Sequence, residues 1–139
     1  MCLEQLFETV EARVGELGKR LLTDRATRLR EEVEEVQAEL RYAYAVLTGC
    51  RRRFTEARRR IAANEVKATL LASRVQTALL LGDRQGAWQL ALDLETLHEA
   101  LAADRADLPY LERACRNEQN HVAVLERRLV PLQAKLYPA

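Results

Sequence analysis

Two Glu-x-x-His pairs stand out in this sequence, Glu95/His98 and Glu118/His121. That spacing puts a carboxylate and an imidazole on one helical face, the ligand pattern of carboxylate-bridged di-iron bundles. A di-iron centre would need both pairs at one place, together with two more inward Glu. On a continuous helix Glu95 and Glu118 are 23 residues apart, roughly 35 Å, and cannot share a metal. Only a compact bundle of short helices would join them, so the expectation is two exposed histidines on a charged helix. Cys2, Cys50 and Cys115 form an odd, dispersed set, which fits reduced thiols better than a disulfide framework. The sequence holds no glycine-rich phosphate loop, no Cys/His metal spacing and no nucleophile with a base beside it. The expectation is a protein that is not an enzyme, with no catalytic residues, no resident metal, no cofactor and no small-molecule substrate.

The third chemical feature is basic. Cys50–Ile61 reads CRRRFTEARRRI, six arginines in twelve residues. Binding to nucleic acid would need a basic stripe interleaved with aromatics or a groove-fitting element. The one nearby aromatic is Phe54, and net charge over the 139 residues is only +1. Nucleic acid is therefore not the expected partner.

The elements that must carry these residues are long helices. Five Gly, three Pro and 31% charged residues, with abundant Leu, Ala, Glu and Arg, are the composition of helices with heptad periodicity. From Leu29 apolar residues recur at alternating steps of four and three: Leu29, Val33, Val36, Leu40, Ala43, Leu47, Cys50, Phe54, Ala57, Ile61, Asn64, Ala68, Leu71, Val75, Ala78. A second series runs Ala87, Leu90, Leu94, Leu97, Leu101, Asp104, Leu108, Leu111, Cys115, Glu118, Val122, Leu125, Leu129, Leu132, Leu136. A period of 3.5 residues held this long is a coiled-coil seam. Between the series lies GDRQG, Gly82–Gly86, a natural turn. The predicted fold is all-α: an antiparallel coiled-coil hairpin over 23–139, with arms 24–81 and 87–136 and a turn at 82–86, preceded by a short amphipathic helix over 1–22. A bundle of four or five shorter helices is the alternative, if Pro109 starts a new helix rather than kinking the second arm.

Folding at the centre of GDRQG sets a register. Asn64 then falls opposite Asp104 as a polar layer that fixes alignment, Glu118 falls opposite Cys50, and Cys115 lies about one turn away from Cys50. Arg51, Arg53, Arg58 and Arg60 flank the seam near Asp104, Asp107, Glu112 and Glu118, whereas Glu31, Glu32, Glu34, Glu35 and Glu39 lie near Arg127, Arg128 and Lys135. Arg52 and Arg59 point outward and are candidate partner or assembly contacts.

In the first segment Leu3, Leu6, Phe7, Val10, Val14 and Leu17, followed by Leu21, share one helical face. This is a candidate surface for membrane insertion or for docking on the chain itself. Its polar side carries Glu4, Glu8, Glu11 and Glu16, which anionic lipid repels, so docking is the stronger expectation. No apolar run is long enough to span a bilayer. No secretory signal is read at the start, and a cytoplasmic protein is the default expectation.

The stretch TALLLGDRQGAWQLALDLETL, with Ala78, Leu79, Gly82, Ala87, Ala91 and Leu92, resembles the hairpin tip of the phage shock protein A family. The basic, Ala-rich run EARRRIAANEVKA before it resembles that family's first arm. The chain is similar to a short version lacking the C-terminal helices through which family members interlock. The resemblance implies a homo-oligomer that assembles in the manner of ESCRT-III, binds anionic membrane at the bacterial inner membrane, and in some members restrains an AAA+ transcription activator. Without the resemblance, the same residues describe a cytoplasmic coiled-coil adaptor that binds another protein and has no membrane role.

Overall fold

The computed structural model describes residues 2–138. Two helices make up almost all of it, α1 (Leu3–Leu80) and α2 (Arg84–Leu136), joined by a three-residue turn. The fold is the expected all-α helical hairpin. All fifteen positions of each seam series are buried or half-buried, so the 3.5-residue period marks the faces that pack together.

The turn is built by one glycine and one aspartate. Gly82 adopts φ +75°, the left-handed conformation that only glycine takes without steric cost. The Asp83 N–H donates to the Ala78 carbonyl at 2.9 Å and the Gly82 N–H to that of Leu79 at 3.1 Å. Those two bonds close α1 in a Schellman motif. Asp83 then opens α2: its carboxylate Oδ1 accepts the Gly86 N–H at 3.0 Å, satisfying a free donor of the first turn. A Cβ built on Gly86 would collide with that carboxylate, which gives the second glycine its role. Gly86 therefore lies inside α2 and not in the turn, a correction to the 82–86 boundary.

The separate N-terminal helix expected over 1–22 is also corrected, because Leu3–Leu22 forms the opening turns of α1 without a break. Gly15 and Gly18 weaken a helix by about 1 kcal/mol each relative to Ala but do not interrupt it. Threonine hydroxyls of Thr9, Thr23 and Thr27 bond back to carbonyls four residues earlier and occupy themselves within the helix. Pro109 likewise does not divide the second arm, and α2 runs through both Pro109 and Pro131. The multi-helix bundle is not formed.

Contacts group the chain into two compact units, one of residues up to Ala43 with those from His121 onward, the other Tyr44–Asn120. In the first, Val33, Val36, Ala43, Val122, Leu125 and Leu132 form the buried core; in the second, Leu47, Ala57, Ala78, Ala87 and Leu101 do. No polar or charged side chain is fully buried among the described residues. Such a thin core follows from two-helix packing, in which every helix keeps most of its circumference in water.

Candidate interaction surfaces

The N-terminal apolar face is fully displayed. Leu3, Leu6, Phe7, Val10, Val14, Leu17 and Leu21 are each at least half exposed, with Leu3 at 76% and Phe7 at 66%. Leu3, Phe7, Val10, Val14, Leu17 and Leu21 keep the alternating four-three spacing of the seam, yet no part of α2 covers them. Residues scattered singly on a surface need no explanation, but a continuous stripe of this length marks an interaction site. The acidic side chains Glu4, Glu8, Glu11 and Glu16 border it, all exposed.

Within Tyr44–Asn120 the arginine cluster divides by position. Arg60 donates through Nε and Nη2 to Asp104 at 3.4 Å each. Arg58 stacks over Phe54, 5.7 Å from the ring centroid. Arg53 and Arg60 border a groove across which stand Asp107, Tyr110 and Leu111, and Tyr110 itself is covered by Arg113 at 4.7 Å. Arg52 and Arg59 are exposed on the side away from the seam. On the other arm Arg105 bonds Glu65 at 2.8 Å. Among the residues of the first unit, Glu32 meets Arg128 at 3.9 Å. Complementary charge therefore does line the seam, as expected. Each pair is open to solvent, so each contributes about 0–1 kcal/mol and selects alignment more than it stabilises.

The expected register is off by about one helical turn near these residues. Asp104, expected opposite Asn64, is hydrogen-bonded to Arg60 instead. Cys50, expected opposite Glu118, instead neighbours Cys115 closely enough to perturb its thiol. The cause is the turn. Because Asp83 caps α2 at once, the chain reverses around Gly82 and Asp83 rather than around the middle of GDRQG. The Asp-x-x-Gly capping pattern was the signal that could have placed it.

The Cys115 thiol is pushed up from its usual range, first by burial and then by Cys50 beside it, with Arg51 and Arg53 pulling the other way. Cys50 and Cys115 are half-buried and Cys2 is exposed. The Glu95/His98 side chains and His121 are exposed, and Glu118 half-buried. Among the described residues no group of three or more His, Cys, Asp or Glu is placed to hold a metal ion. A shallow apolar groove of about 450 Å³ between Leu70, Leu71 and Leu97 is rimmed by Lys67, Arg74 and Asp93, without a convergent set of polar groups. No helix is long and apolar enough to cross a membrane among the described residues.

What the geometry defines is a class, the antiparallel two-helix coiled-coil hairpin. Comparison with protein-family models, curated proteins and solved structures finds no match for the chain.

Proposed function

We propose that this chain is a non-enzymatic, self-assembling coiled-coil scaffold of the kind that phage shock protein A exemplifies. It acts in a bacterial membrane-stress response or in membrane remodelling, or restrains a partner AAA+ activator. The observation that carries the proposal is the exposed stripe Leu3–Leu21, which repeats the spacing of the packed seam and has no covering helix in its own chain. Burying such a stripe yields about 25 cal/mol per Å² of apolar surface, and another copy offers a stripe of the same spacing.

Size-exclusion chromatography with light scattering tests the reading. The full chain should elute as concentration-dependent particles well above the 15.9 kDa of one copy. Leu6→Glu with Val14→Glu, both at exposed positions, should return it to the monomer. A sharp monomer at all concentrations for the unaltered chain would rule out self-assembly.

A second reading, a cytoplasmic adaptor without a membrane role, is favoured by the acidic border of the same stripe. Co-sedimentation with anionic vesicles separates the two. Pelleting that weakens with salt and is lost in the double-Glu variant supports the membrane role, and failure to pellet at low salt supports the adaptor.

A further inference from the structure

We infer that Cys50 and Cys115 are a dithiol–disulfide pair that reversibly staples the two arms within Tyr44–Asn120. The inference is independent of the self-assembly reading, because the bond would form within one chain.

Three observations converge on it. Both cysteines hold seam positions, one per arm, and both are half-buried. Ten residues along α1, Arg60 is tied to Asp104 by two hydrogen bonds, and that alignment brings the facing thiols into register. Cys50 is near enough to Cys115 to push its thiol up, after burial. A disulfide demands Cα atoms within about 7 Å, and the seam is where the two backbones approach each other most closely. The guanidinium groups of Arg51 and Arg53 only partly offset the upward push of burial and Cys50 on the Cys115 thiol.

The oxidant is a low-molecular-weight disulfide such as oxidised glutathione. One cysteine thiolate attacks it, forming a mixed disulfide and releasing one glutathione thiolate, which takes up a proton. The facing cysteine loses its proton, attacks the protein sulfur of the mixed disulfide and expels the second glutathione. Two protein thiols are oxidised to one S–S bond, and one oxidised glutathione is reduced to two thiols. The closed staple spans a loop of about 65 residues, and a cross-link of that length strongly restricts the unfolded chain.

The full chain incubated with an oxidised/reduced glutathione buffer at pH 8 tests the inference. Two of the three thiols should disappear, with a mass loss of two hydrogens and a non-reducing peptide map joining the Cys50 and Cys115 peptides. The thermal midpoint should rise by about 5 °C or more and fall back on adding dithiothreitol. Cys2→Ser should leave all of this unchanged, and Cys115→Ser should abolish the bridge. Three free thiols at equilibrium, glutathione adducts on Cys50 or Cys115 without an internal bridge, or bonds only between chains would each overturn it. The readout is the linkage within a single chain, so failure here leaves the assembly result standing, and the converse holds too.

Discussion

Asp83 shows how much one side chain settles. Its N–H closes α1, and its carboxylate opens α2 by accepting the Gly86 N–H. Substituting an N-cap aspartate by Ala typically costs about 1 kcal/mol. Cys115 is the residue whose protonation the fold perturbs. Burial and the adjacent Cys50 hold its thiol above the usual range, so on raising the pH the unfolded chain loses this proton before the folded chain does. Stability must then fall as pH rises from the ordinary cysteine range, near 8.5, towards the folded value. Under reducing conditions, urea midpoints should decline above about pH 8.5, and Cys115→Ser should remove that part of the decline. An alkaline decline of equal size in the serine variant would assign it to other groups.

At the scale of the element, nearly everything that periodicity encodes was legible. Every seam residue read from Leu29 to Leu136 is at least half-buried, because hydrophobic spacing and packing are the same constraint seen twice. What periodicity does not encode is the phase between the arms. That phase depends on where the chain reverses, which a hydrogen bond from Gly86 to Asp83 decides, so Asn64 and Asp104 were aligned about a turn wrongly. Breakers were over-read as well. Proline removes one donor and clashes one turn back, but Pro109 is exposed and α2 continues through it. The carbonyl of Arg105 that it leaves without a donor is on a solvated stretch of helix. Pro109→Ala should therefore raise the denaturation free energy, by up to about 3 kcal/mol. An unchanged or lower midpoint would mean that Pro109 is needed for the two arms to pack.

For the whole molecule, charge and apolar surface have different tasks. The acidic and basic residues nearly cancel over the chain, to +1 in all, and pairs such as Arg60–Asp104 and Glu32–Arg128 flank the seam. Apolar surface was legible as a stripe from the first residues onward, while its state, uncovered along Leu3–Leu21, is a property only the folded chain reveals. Amphipathicity states that a face will be buried and is silent on what buries it.

The turn also sets the order in which the molecule can assemble itself. Ala78 and Ala87, both buried, lie nine residues apart in the chain, whereas Glu32 and Arg128 are separated by 96. Closing a long loop costs more entropy than closing a short one, so pairing should start beside Gly82 and proceed outward like a zip. In stopped-flow experiments Gly82→Ala, which forces a side chain into the left-handed region at about 1–2 kcal/mol, should slow folding and leave unfolding nearly unchanged. Faster unfolding with unaltered folding would place turn formation late. During synthesis the consequence is directional, because the α1 sequence leaves the ribosome before any of its α2 partner. Each new turn of α2 then finds its site on α1 next to the one just filled, so the arms close in step with translation.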